Sequence, residues 1–115
     1  MKQYVITTKG DKVLITAEDR DHAFAKYFKD IIERKIPLDK VGSILMLMDG
    51  NVEIPIRTVP LLWRMGIVCT DCAITNIVDC TGVLRSEAKE ILKEASDKDA
   101  RLIPLINQLR LEEQK

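Results

Sequence analysis

Two reversal signals, each set between strand-forming runs, most constrain what this chain can fold into. Asp49-Gly50-Asn51 separates the run Ser43–Met48 from VEIPIRT, and Lys9-Gly10-Asp11 separates YVITT from KVLITA. A glycine between polar residues supplies the positive φ that lets an antiparallel pair turn back on itself. Both arms of the first pair are rich in β-branched residues, as strands prefer. In the second pair, Val52, Ile54 and Ile56 alternate with Glu53, Pro55 and Arg57, so one face is apolar and one polar. Pro55 cannot donate to a ladder, which places this strand at a sheet edge. The continuous apolar run ILMLM is the length of a strand and reads as buried on both faces.

Between the hairpins the period changes. Phe24, Tyr27, Phe28, Ile31 and Ile32 recur at i, i+3/i+4 and i+7, which is a helical stripe. Thr16 is read as the N-cap, Glu18, Asp19 and Asp21 crowd the positive end, and Lys26, Lys29, Arg34 and Lys35 follow toward the negative end. The spacing predicts a helix over 17–35, ended by Pro37. The order ββαββ is similar to a β-grasp arrangement, in topology only. A helix over one face of a small sheet buries both apolar surfaces at once.

After Gly66 the strand signals cease. TVPLLWRMG reads as a connector of one or two helical turns, with Pro60 near its start and Trp63 packed between the two halves. Ile74, Ile77 and Val78 then keep helical spacing until Thr81-Gly82. Val83, Ala88, Ile91, Leu92 and Ala95 resume it, and Ser96-Asp97 reads as a second break. Asp97 or Asp99 is expected to cap a third segment lined by Leu102, Ile103, Leu105, Ile106 and Leu109. Pro104 should kink that segment or delay its start, and the tail LEEQK should fray.

The chain has 115 residues, 18 basic and 18 acidic side chains and one histidine. With no net charge, no long-range field steers it to nucleic acid or anionic membranes. Residues 1–66 hold 11 Lys/Arg against 9 Asp/Glu, and residues 67–115 hold 7 against 9, so the C-terminal part is slightly acidic. No stretch approaches the roughly 20 apolar residues of a bilayer span, and the first residues lack a signal-peptide pattern. A cytoplasmic location is expected, which also suits three cysteines, a number that leaves one unpaired. A lone His22 and the lack of G-x-S-x-G or P-loop patterns leave few routes to catalysis. A protein without enzymatic activity or cofactor is therefore expected.

Cys69, Cys72 and Cys80 fall within roughly 80° of one another at 100° per residue. That spacing suits an apolar core stripe, and a free thiol behaves as a small buried hydrophobe. No metal site is expected, since zinc normally takes four ligands. The weaker alternative is a metal or redox site at Cys69-Thr70-Asp71-Cys72 with Cys80. There the start of a helix would favour a thiolate and Asp71 would oppose it.

IVDCTGVLRSEAKEILKEASDKDARLIPLI resembles a ubiquitin-associated (UBA-like) three-helix module through Thr81-Gly82-Val83, Ala88, Ile91-Leu92, Ala95 and the Ser96-Asp97 break. The match covers about 40 residues, and Pro104 departs from it where such modules continue a helix. The resemblance implies protein–protein binding through Gly82, Val83, Leu84, Leu105 and Leu109. The same letters also look like a DNA-binding helix-turn-helix, which would aim Arg85, Ser86, Lys89 and Lys93 at the major groove. Glu87, Glu90 and Glu94 interleave with those bases and oppose phosphate binding.

The expectation is thus an α+β protein. A ββαββ half over 1–58 leads through a connector, 59–66, to a helical half over 67–112 that could pack with the first as one domain. It is expected to bind a protein partner through its C-terminal helices, with DNA as the alternative and no membrane. Homodimerisation through the Met46/Met48 strand or the Pro55 edge is a further possibility.

Overall fold

The computed structural model describes residues 1–9, 11–34 and 41–113. Gly10, the Lys35 end of the first helix, Pro37 and the last two residues of the tail lie outside the described residues. The order of elements is β1 (Lys2–Thr7), β2 (Lys12–Ala17), α1 (Arg20–Arg34), β3 (Ile44–Asp49), β4 (Val52–Arg57), α2 (Thr58–Arg64), α3 (Thr70–Thr81), α4 (Arg85–Asp99) and α5 (Leu102–Glu113). The protein is α+β, with the ββαββ order that the sequence predicts.

The four strands form one sheet in the order β2-β1-β3-β4, and every pairing is antiparallel. A β-grasp sheet would set its last strand parallel to its first, whereas β4 lies at the far edge beside β3. The topological likeness therefore does not hold. Pro55 does sit on an edge strand, where its missing N–H faces outward.

Register fixes which side chains share a face. Ile6 lies opposite Val13 on one side and Leu47 on the other, and Leu47 lies opposite Ile54. Tyr4, Ile15, Ala17, Leu45 and Ile56 fall on the same face by the two-residue period. Helix α1 packs on this face, bringing Phe24, Phe28 and Ile31 down onto it with scarcely any exposure. Fully burying side chains of this size contributes roughly 1.5–3 kcal/mol each. The sheet–α1 contact is therefore the main stabilising layer.

Only this face is covered. In β3, Leu45 and Leu47 are buried, Met46 and Met48 are half-buried, and Ile44 is exposed. The continuous run ILMLM is thus a central strand with one dry face, not two. Every second residue meets the core, and hydrophobicity alone did not reveal which.

The start of α1 also differs from expectation. Asp19, not Thr16, is its cap: the Asp19 Oδ1 accepts the His22 backbone N–H at 2.8 Å, and the Asp19 carbonyl accepts the Ala23 N–H. The His22 Nδ1 lies 2.8 Å from the same Oδ1, and these bonds from His22 hold the Asp19 carboxyl below its ordinary value.

Helix α2 begins directly after β4. The Thr58 N–H donates to the Ser43 carbonyl and its hydroxyl to the Gly42 carbonyl, so the strand-to-helix corner is pinned from both sides. Helices α3 and α4 pack against α2 and each other, while α5 turns back and packs along α1. Buried residues of both halves accordingly form one cluster. Arg101 at the head of α5 pairs with Asp21 of α1, and Arg110 pairs with Glu33.

Two expected breaks resolve differently. Ser96 and Asp97 lie inside α4, with Ser96 buried and its hydroxyl donating to the Lys93 carbonyl. Neither Asp97 nor Asp99 caps the next helix, because α4 runs through both. Pro104 is the third residue of α5, where its N–H would have no intrahelical partner in any case. The helix therefore starts before the proline.

Leu47→Ala should lower the free energy of unfolding by about 3 kcal/mol. Met48→Ala, its neighbour on the open face, should cost under about 1 kcal/mol. Urea denaturation of the two variants checks the face assignment; equal losses would contradict it.

Candidate functional site

Four places in the molecule carry residues with chemistry, and they differ in how the fold treats them. The resemblance-derived patch is the first. Gly82 ends α3 at φ +75°, donating its N–H to the Val78 carbonyl at 2.8 Å, and Val83 and Leu84 bridge to α4. Leu84 is 69% exposed. Leu105 and Leu109, in contrast, are half-buried and border a recess between α5 and α1, with His22 and Lys26. No residue of the Gly82–Leu84 loop borders that recess. Packing α5 on α1 separates the two parts of the patch into different surroundings.

The helix-turn-helix residues come second. Arg85, Ser86, Lys89 and Lys93 are all exposed on α4. The Arg85 guanidinium turns back toward α3, donating to Thr75 Oγ1 at 3.2 Å and to Asp71 Oδ1 at 3.1 Å. The residue at the tip of the supposed recognition helix is engaged within its own hairpin.

The cysteines come third, and here the expectation fails. All three are free and exposed. The buried stripe of α3 is Ala73, Ile74 and Ile77, and Cys72 lies roughly 150° around the helix from its centre at 100° per residue. Cys69 is not within the helix at all: it is the N-cap, and its Sγ accepts the Cys72 N–H at 3.3 Å. Contact with the Cys72 thiol, and then that backbone bond, draw the Cys69 thiol below its ordinary value, and the same contact raises that of Cys72. Cys80 sits at the other end of α3, 3.1 Å from the Ser43 hydroxyl. Among the described residues no group of three or more His, Cys, Asp or Glu side chains is placed to hold a metal ion.

The fourth place is the open face of the sheet, which the sequence pointed to only through the Met46/Met48 strand and the Pro55 edge. Val5 lies opposite Leu14 on one side and Met48 on the other, and Met48 lies opposite Glu53. One row along, Lys12, Thr7, Met46 and Pro55 follow one another across the four strands. Ile44 continues the face along β3, opposite Arg57. None of these residues is buried, and Leu14 and Ile44 are 62% and 48% exposed. At the Ile44 end the face runs into an open recess of about 720 Å³ bordered by Thr7, Lys9, Ser43, Met46 and Asn76 of α3. Register was the missing signal: only the pairing shows that apolar residues from three strands and Pro55 adjoin.

One titratable group stands apart. Asp99, buried at the end of α4, has its carboxyl pushed above the ordinary value of 3.8 by burial, with Arg101 3.5 Å away and Lys98 pulling it back. It joins Arg101 and Asp21 in a cluster that ties α4, α5 and α1 together, which is a structural role. Comparison with protein-family models, with curated proteins and with solved structures returns no match for this chain. No described helix is long and apolar enough to cross a membrane.

The Asp99 shift has a stability consequence. The folded state holds the acid form more tightly than the unfolded chain, so the group's stabilising contribution is full below the ordinary value of 3.8 and is lost as pH rises through the higher folded value. Asp99→Asn should raise the urea midpoint at pH 7, and the gap to the wild type should close as pH falls toward 3.8. A lower midpoint at pH 7 would mean that the Arg101 pair outweighs the burial.

Proposed function

We propose that this is a small protein-binding module whose docking surface is the open face of the sheet. The observation that carries the reading is contiguity. Val5, Leu14, Met46, Met48, Ile44 and Pro55 adjoin across the strands on a face where nothing is buried. Apolar residues scattered singly on a surface are ordinary, whereas contiguous ones mark a surface that meets another molecule.

The composition of the face fits the same purpose. Its centre holds the two methionines, whose flexible, polarisable side chains adapt to varied partner shapes. Its margins hold Lys12, Glu53 and Arg57 on the edge strands, giving an apolar centre with a polar rim. Charges of both signs on the rim favour a protein partner over a phosphate backbone, which is bound chiefly by Lys and Arg. The partner this surface suits is a protein with an apolar patch of its own, and a second copy of the chain is one such partner.

Leu14→Asp and Ile44→Asp should each weaken partner capture from extracts of the producing cells by about tenfold or more. Leu84→Asp should leave capture intact, and all three should keep the wild-type urea midpoint. Loss with Leu84→Asp alone would return the interface to the α3–α4 loop, where the UBA-like resemblance puts it. Sedimentation over a wide concentration range separates self-association from a foreign partner. Labelled mixed-sequence duplex DNA should give no anisotropy change that falls with salt; a steep salt dependence would support α4 as a groove-binding helix instead.

A further inference from the structure

The two thiols of Cys69-Thr70-Asp71-Cys72 are not used by the binding surface, and the fold displays them together at one exposed helix end. We propose that Cys69 and Cys72 form a reversible dithiol–disulfide pair that exchanges with small disulfides such as glutathione disulfide. The placement of the backbone is the first argument. Cys69 is the N-cap of α3 with extended φ −71° and ψ 160°, and Cys72 is the third helical residue. An N-cap side chain and that of the third helical residue face each other across the first turn. The Cys69 Sγ already reaches the Cys72 N–H at 3.3 Å.

Access and local charge supply the second argument. Both thiols are exposed, so a small disulfide can reach either sulfur. Asp71, the residue between them that disfavours a thiolate, is paired with the Arg85 guanidinium at 3.1 Å. Thr70, the other residue between them, is held by the Trp63 indole N–H, which donates to its hydroxyl at 3.1 Å. The four-residue segment is thus fixed on both sides without its sulfurs being covered. Thiolate character at Cys69, favoured by the helix start and the Cys72 contact, makes it the attacking group.

The third argument is exclusion. Cys80 lies eight residues beyond Cys72 on the same helix, roughly 12 Å along the axis at 1.5 Å per residue. Disulfide-linked Cα atoms lie within about 7 Å. Cys80 is therefore a built-in control rather than a participant.

The exchange balances in two steps. The Cys69 thiolate attacks one sulfur of the small disulfide, forming a mixed disulfide and releasing one thiolate. The Cys72 thiol loses its proton to solvent and attacks the Cys69 sulfur, forming the Cys69–Cys72 bond and releasing the second thiolate. The protein's two thiols lose two protons and two electrons in all, and the small disulfide takes up both to become two thiols.

The test is equilibration of the full chain, reduced and freed of metal by a chelator, in glutathione buffers of graded oxidised-to-reduced ratio. Acid quenching, alkylation and peptide mass spectrometry follow. The expected result is loss of two hydrogens confined to the peptide with Cys69 and Cys72, with Cys80 alkylated throughout and full reversal on adding reductant. Trp63, the chain's one tryptophan, should change its fluorescence along the same curve. Cys72→Ser should stop at a mixed disulfide on Cys69, and Cys69→Ser should slow reaction at the one remaining thiol, Cys72, by about tenfold or more. Stable glutathione adducts on both thiols of the wild type, equal reaction at Cys80, or oxidation only with metal present would overturn the proposal.

Discussion

The apolar row Val13–Ile6–Leu47–Ile54 is the feature on which the rest of the structure depends. It runs across all four strands, and a sheet this small cannot stay folded with such a row in water. Helix α1 supplies the cover. Once α1 lies there, α5 packs along its outer side, and the Arg101–Asp21 and Arg110–Glu33 pairs hold that contact at two points. The Thr58 bonds to Gly42 and Ser43 then fix where the remaining helices leave the sheet.

This arrangement uses one face of the sheet and leaves the other. Antiparallel sheets commonly keep a solvated second face, but such a face is normally polar. Here the period of two brings Glu53 and Lys12 to it, yet also Leu14, Val5, Met46 and Met48. The same packing of α5 draws Leu105 and Leu109 toward α1, apart from the Gly82–Leu84 loop. The C-terminal helix returns to α1 and not to the second face of the sheet, which stays open.

Much of the fold was legible in local chemistry. The reversal at Asp49-Gly50-Asn51, with Gly50 at φ +62°, and the stripe from Phe24 to Ile31 gave elements within a few residues of those found. Pro55 gave an edge. What was not legible depended on position in space. Asp19 outcompetes Thr16 as a cap because its carboxylate accepts the His22 N–H at 2.8 Å, a preference that spacing alone did not settle. Ser96 reads as a break because serine often competes with helical hydrogen bonds, but buried and bonded to the Lys93 carbonyl it is carried inside α4. The cysteines followed helical spacing, yet none is buried. Cys69 caps α3 from outside it, and Cys72 lies across the helix from Ala73, Ile74 and Ile77. Cys80 falls on the side of that stripe but in the last turn, where it is exposed beside Ser43. The candidate surface was least legible of all, because adjacency across strands is set by register and not by sequence order.

The most direct measurement of the central claim is oxidation of the native protein by dilute hydrogen peroxide, followed at Met46 and Met48 by peptide mass spectrometry. One face of the sheet is core and the other is open, so both methionines should form sulfoxides while the chain is folded, at a rate independent of added subdenaturing urea. Purified binding partner should then suppress both together. Oxidation of Met46 and Met48 only in step with global unfolding, in dilute protein without partner, would show the second face to be covered and would contradict the account.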